Sequence, residues 1–224
     1  MAVIEGGTSA ALVDVGVPSV ATIGANVAQL VALKPIPYGA LGHYRLSFRA
    51  VLAAAQAANS RVFELRNAGA NFIVLTRLTL RALQIAAGTA QENSLDCYKL
   101  TGFTVLDTTN TVTPAASVKR AGMAAAPGNA QIRGVTQTGV AAGMTGGNPT
   151  KDGSPFATLP FNVAAAIATT FQWGPLDCVD DMNGTHPFVF AQNEGFDVEN
   201  RILNVTSYGM AFYLDCSWAE VPAF

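Results

Sequence analysis

The sequence predicts an all-β fold, an antiparallel sandwich of about eight strands, with the jelly roll as first choice for that number. Two observations predict it. Apolar and polar residues alternate with period two in several segments, most clearly where Met210, Phe212, Leu214, Cys216 and Trp218 interleave with Ala211, Tyr213, Asp215, Ser217 and Ala219. In addition, no alternation of strand-like and helix-like segments is present to build a parallel sheet, and no fixed-period repeat suggests a propeller or solenoid.

The elements follow in order. Residues 1–40 are rich in Val, Ala, Gly and Pro. The Ala-rich text at 21–33 suits a short helix, but repeated Gly and Pro argue for an extended N-terminal arm, lying on the domain or on a neighbouring subunit. From His43 the alternation begins: Tyr44, Leu46, Phe48, Ala50 and Leu52 share one face, with Arg45, Ser47 and Arg49 on the other. Residues 53–59 read as a connection and 61–66 as a short strand, followed by a turn at Gly69 and Asn71. Residues 72–83 form a third strand. Its first half is apolar on both faces, so it belongs inside a sheet, with Phe72, Val74, Thr76, Leu78, Leu80 and Ala82 on one side throughout.

Residues 94–107 hold another strand, bent at Gly102. Residues 108–160 are weakly patterned, with 131–138 the best strand candidate. So long a loop region suggests a role in surface contact. Residues 161–166 and 168–172 are weak strands. Residues 186–192 and 195–202 flank a turn at Asn193-Glu194-Gly195, and the last strand runs to Pro222.

The 224 residues suffice for one large all-β domain. No charged or proline-dense linker divides them, so the expected organisation is an arm over 1–40 and one sandwich over 41–224. Half the residues are hydrophobic and 12% are charged, against about 25% in ordinary soluble domains. A surface so poor in charge predicts subunit contacts. The net charge is −2, there are four lysines, and no basic run occurs. Direct binding of nucleic acid is therefore not expected. Met1-Ala2-Val3-Ile4-Glu5 lacks the positive start of a signal peptide. The apolar stretch 10–33 is interrupted by Asp14, Gly16, Pro18, Gly24, Asn26 and Gln29, so it makes a poor membrane span, and synthesis in a cytosol is expected.

Candidate chemistry is sparse. Cys97, Cys178 and Cys216 are widely spaced with no zinc pattern, and read as buried reduced thiols. His43 and His186 have no serine elbow or local cysteine partner. Asp177, Asp180 and Asp181, followed by Asn183 and His186, supply oxygens that suit Ca²⁺, but the spacing is not that of an EF-hand and the text is ordinary turn chemistry. The glycine-rich run from Gly143 to Gly147 lacks the Lys-Ser/Thr of a phosphate loop and reads as a flexible surface loop. Asn183 and Asn204 begin glycosylation sequons that a chain without a secretory signal does not present to the enzyme. Glu194, Asp197 and Glu199 raise the thought of a glycosidase pair, yet Asp197 and Glu199 read as one solvated strand edge. Trp173 and Trp218 suit a sugar platform, but Trp218 falls on an apolar face and reads as core. No catalytic, cofactor-binding or metal residue is assigned, and no enzyme is expected.

Three segments carry a resemblance: Leu95-Asp96-Cys97-Tyr98-Lys99-Leu100-Thr101-Gly102-Phe103-Thr104, His186-Pro187-Phe188-Val189-Phe190-Ala191-Gln192-Asn193-Glu194-Gly195-Phe196, and the close Trp218-Ala219-Glu220-Val221-Pro222-Ala223-Phe224. Together they resemble small virion structural proteins of tailed bacteriophages, over residues 43–224 and not the arm. The resemblance implies a β-sandwich particle component without catalytic residues. The expected role is a capsid decoration or cement subunit, a head accessory protein. It would act by adhesion to the major capsid protein or other virion proteins and to sister subunits, with a trimer favoured by a capsid's local threefold sites. The alternative is a glycan-binding host-recognition module of a tail or head fibre. Either places the protein in the virion after synthesis in the host cytoplasm, with no membrane or cofactor involved.

Overall fold

A computed structural model describes residues 3–5, 12–14, 42–109, 111–112, 119–120, 128–135, 140–166, 171–180 and 187–222. The chain divides into two compact units, Met1–Gly39 and Ala40–Phe224. In the first, β1 (Val3–Glu5) pairs antiparallel with β2 (Leu12–Asp14), Val3 opposite Asp14. The short helix weighed at 21–33, and most of the extended arm expected over 1–40, lie outside the described residues.

The second unit is a β-sandwich. Its strands are β3 (His43–Leu52), β4 (Ser60–Asn67), β5 (Phe72–Gln84), β6 (Gln91–Thr101), β7 (Thr111–Val112), β8 (Lys119–Arg120), β9 (Ala130–Val135), β10 (Val140–Ala141), β11 (Thr150–Lys151), β12 (Ala157–Val163), β13 (Gln172–Asp180), β14 (Phe188–Phe190), β15 (Gly195–Asn200) and β16 (Met210–Val221). No helix occurs among the described residues. One sheet runs β10-β3-β16-β5-β13, with β14 also on β5 and β8 also on β3. The other runs β11-β6-β15-β4-β9-β7, with β12 also on β6. The first four long strands pair antiparallel with later ones in reverse order: β3 with β16, β4 with β15, β5 with β13 and β6 with β12.

Period-two patterning decides which face goes inside. In β3 the apolar set Tyr44 to Leu52 is buried while Arg45, Ser47 and Arg49 are exposed. β16 adds Met210, Phe212, Leu214, Cys216 and Trp218 to the same core. Across the sandwich, Phe63 of β4 meets Phe48 of β3 at 5.6 Å between ring centroids; within its own sheet it meets Phe196 of β15 at 5.8 Å. Aromatic rings at these separations gain from their quadrupoles as well as from area buried. Trp218 is fully buried and stacks on Tyr44 at 5.6 Å.

The third strand departs from its expected pattern. Unbroken alternation would put Val74 on the face of Leu78 and Leu80. Instead Ile73 and Leu75 join Leu78, Leu80 and Ala82 in the core. The cause is a bulge: Trp218 faces Leu75 but the preceding Ser217 faces Arg77, so Thr76 is the extra residue. Thr76 Oγ1 donates to the Ser217 carbonyl at 3.1 Å.

The region 108–160 contains more regular structure than its sequence suggests. Its short strands cover sheet edges: β9 and β7 extend the second sheet beyond β4, while β8 and β10 pair with the outer side of β3, β10 in parallel. Covered edges offer fewer free backbone groups to a foreign strand. β13 was not expected beyond residue 172; its Gly174-Pro175 step and its aspartates look like a turn in sequence.

Candidate functional site

β15 is interior to its sheet, between β4 and β6. Phe196 and Val198 point to the core, so Asp197 and Glu199 project from the outer face. Register sets their neighbours. Asp197 lies between Glu64 and Tyr98, and Glu199 between Arg61 and Asp96. A strand edge would leave such charges in water. Here they are not solvated: Asp197 is 1% exposed and Glu199 5%. The expectation of a solvated edge is overturned, because remote chain covers this face.

The cover is the glycine-rich run and its continuation into β11. Met144 exchanges backbone hydrogen bonds with Arg61 at 2.8 and 2.9 Å. Gly146 N–H donates to Asp107 Oδ2 at 2.5 Å, and a Cβ on Gly146 would sit 2.8 Å from Asp107 Oδ1. Asn148 ties the run to the chain after β6, its Oδ1 accepting from Thr104 N–H at 3.1 Å and Val105 N–H at 2.7 Å. The run is therefore a pinned cover rather than the expected free loop.

Beneath and beside it is an open pocket of about 310 Å³ whose walls include Asn59, Arg61, Leu100, Met144, Asp197 and Glu199. Lys151 and Thr145 also line it. Lys151 Nζ lies 2.7 Å from Glu199 Oε2 and 4.4 Å from the centre of the Tyr98 ring. Arg61, part of the wall, is paired with Glu64 Oε2 at 2.9 Å and with Asp107 Oδ2 at 3.6 Å. Asp197 differs from these: its Oδ1 is buried with no hydrogen-bond partner among the described residues.

Burial and then the Glu199 charge hold the Asp197 carboxyl well above the usual carboxylate range, against the pull of Arg61 and Lys151. Burial raises Glu64 too, opposed by the Asp107 N–H bond and by Arg61. Burial works against the charge of Lys151, but the hydrogen bond and charge of Glu199 leave its pKa raised.

The other sequence candidates are scattered. Cys97 and Cys216 are buried and free, and burial pushes both thiols up; Cys97 is raised further by its contact with Cys178, which is half-buried. His43 lies 3.4 Å from Thr76 Oγ1, and burial followed by Arg45 lowers its pKa. His186, Asp181 and Asn183 lie outside the described residues. Asp177 accepts from Thr79 Oγ1 at 2.7 Å. Among the described residues no group of three His, Cys, Asp or Glu side chains is placed to hold a metal. Asn204 is 2% exposed and donates to the Ala53 carbonyl at 2.9 Å and Gln56 Oε1 at 3.1 Å, so that sequon is structural. Glu194 forms a 3.5 Å ion pair with Lys99, away from the walls of the pocket. Trp173 is packed against the core, 6.2 Å from Phe161.

One surface was not visible in the linear text. Register places Arg49, Tyr213 and Arg81 in one row of the first sheet, and Arg45, Ser217 and Arg77 in another. The Tyr213 ring lies between two guanidiniums, 5.7 Å from Arg49 and 5.9 Å from Arg81. Asp215 stands between the rows, 3.7 Å from Arg81, and balances part of this charge. No family model, curated protein or solved structure matches the chain.

Proposed function

We propose that this chain is a virion structural protein, a capsid decoration or cement subunit that works by adhesion to other virion proteins and to sister copies. The observation that carries the reading is one end of the sandwich. Four connections meet there, β3–β4, β5–β6, β12–β13 and β15–β16. Backbone hydrogen bonds tie them together: Ala55 to Asn204 at 3.0 Å, Ile85 to Gly209 at 2.7 Å, Gln84 to Phe171 at 2.9 Å and Gly88 to Ala164 at 3.1 Å. On this braced end Ile85, Phe171, Ile202 and Leu203 are 42 to 55% exposed. Large apolar side chains held outward on a rigid platform, in a chain with 12% charged residues, suit a surface completed by another protein.

The strand order supports a jelly roll as the finer description of the sandwich. A linear hairpin whose arms pair β3 with β16 through β6 with β12, rolled so that successive strands change sheets, produces that order. The sequence likeness to tailed-phage virion proteins points the same way. The alternative, a glycan-binding host-recognition module, is favoured by one observation, the pocket beside Asp197.

The test compares particles that carry the protein with particles lacking it, under heat and osmotic shock. Adhesion predicts that the lacking particles lose their genome more readily and that adding purified protein restores them. Equal resistance, with strong binding on a glycan array, would favour the alternative.

A further inference from the structure

We infer that the pocket over β15 is a binding site for a neutral polyhydroxylated ligand, a saccharide unit. The inference concerns the pocket alone and holds or fails whether or not the chain coats a particle.

The pocket carries an orphan acceptor. Asp197 is 1% exposed, lines the pocket, and leaves Oδ1 without a partner among the described residues. A buried polar atom left so costs about 1 to 3 kcal/mol, a penalty that a hydroxyl in the pocket would relieve once the Asp197 side chain turns to meet it. The charges then select the ligand. A cation entering beside Asp197 meets Arg61 and Lys151, both close enough to act on that carboxyl. An anion meets the negative charge of Glu199, which already acts on the Asp197 carboxyl. A neutral ligand that both donates and accepts hydrogen bonds avoids both conflicts. Its hydroxyls would give protons to Asp197 and Glu199 and receive one from the Lys151 ammonium, only one of whose three protons is taken by Glu199.

Shape agrees with charge. Leu100, Met144 and Pro149 give the pocket apolar wall in addition to its polar groups. A sugar ring has the same division, with C–H faces and an O–H perimeter. The volume of about 310 Å³ is at the lower end for small-molecule sites and suits one sugar unit rather than a long chain. The cover is pinned through Met144, Gly146 and Asn148, so the site is formed before any ligand arrives.

The test uses the full chain and saturation-transfer NMR with titration against D-glucose, D-galactose, D-mannose, N-acetyl-D-glucosamine and L-rhamnose, with L-arginine and inorganic phosphate as charged competitors. At least one sugar is expected to bind, and neither competitor to displace it. Asp197→Leu should weaken binding about tenfold or more, the loss of one well-placed hydrogen bond to a buried carboxyl. Asp197→Asn should stay within about threefold, because the amide keeps an acceptor and a donor. Thr145→Trp, at an exposed position on the lining, tests the pocket without touching a buried group and should abolish binding. The inference is overturned if no sugar binds, if arginine or phosphate binds there in preference, or if sugar binding survives both Asp197→Leu and Thr145→Trp.

Discussion

Glu220 and Asn129 lock together through both ends of Asn129: Glu220 Oε1 accepts its backbone N–H at 3.0 Å and Oε2 its side-chain N–H at 2.8 Å. Gly128 N–H at 3.1 Å and Ala130 N–H at 2.9 Å complete a cradle around one carboxylate that is 1% exposed. The last strand of one sheet thereby fixes the start of β9, in the other. Successive backbone N–H groups converging on an anion form a strong local site. Glu220→Ala should cost about 3 to 5 kcal/mol in urea unfolding, since several buried donors lose one charged acceptor. A variant within about 1 kcal/mol of wild type would show that the cradle is not structural.

The end of the sandwich bearing the exposed apolar side chains depends on Asn93. Its amide nitrogen lies 3.0 Å from Asn200 Oδ1, 3.1 Å from Asn204 Oδ1, 3.1 Å from the Tyr208 hydroxyl and 3.2 Å from the Ile202 carbonyl. Two protons serve four acceptors, so the network is shared rather than pairwise. Asn93→Ala should cost about 2 to 3 kcal/mol and Tyr208→Phe about 1 kcal/mol. The double variant should fall short of their sum, because both remove the same link. Strict additivity would separate the two residues.

Gly195 is where β15 comes closest to β4. A Cβ there would lie 1.9 Å from the Leu65 carbonyl oxygen, which is backbone and cannot rotate away. Gly195→Ala is expected to cost about 3 kcal/mol or more and to lower soluble yield. Gly153→Ala, whose added carbon would meet nothing within 4 Å among the described residues, is the control and should stay within about 0.5 kcal/mol. Equal behaviour of the two would contradict the packing of β15.

The buried Asp197 carboxyl makes a signed prediction in pH. Its folded pKa is raised, so the folded chain holds that proton more tightly than the unfolded chain. The associated stability is present in full below the ordinary carboxylate pKa and is lost as pH rises through the folded value. Asp197→Asn removes this loss. Between pH 4 and a pH above the folded value, the melting temperature of the variant should rise relative to that of wild type. Glu64 shifts in the same direction and keeps part of the dependence in both proteins. A constant difference across this range would show that burial does not penalise the Asp197 charge.

These residues also show how much was legible in the sequence. β3 and β16 were readable because each packs one face on the core, so period two survives in the text. The face of β5 was misassigned in its first part because a single bulge at Thr76 is a property of the pairing with β16, and nothing local marks it. Asp197 and Glu199 looked solvated because their cover comes from residues 143–151, almost fifty positions away. The arginines at 45, 49, 77 and 81 look isolated until register sets β3 and β5 on either side of β16. Local chemistry thus revealed strands and turns. The polar site needed long-range pairing, which one sequence does not encode in any local pattern.

Sedimentation velocity of the purified full chain, over a range of protein concentrations and at physiological salt, tests most directly whether its apolar surface is completed by other protein. The account predicts a discrete oligomer, a trimer of 23.2 kDa chains, that dissociates when Phe171 and Leu203 are both changed to Ser without loss of β-sheet circular dichroism. A species that stays at 23.2 kDa at every concentration, and to which those two changes make no difference, would contradict it.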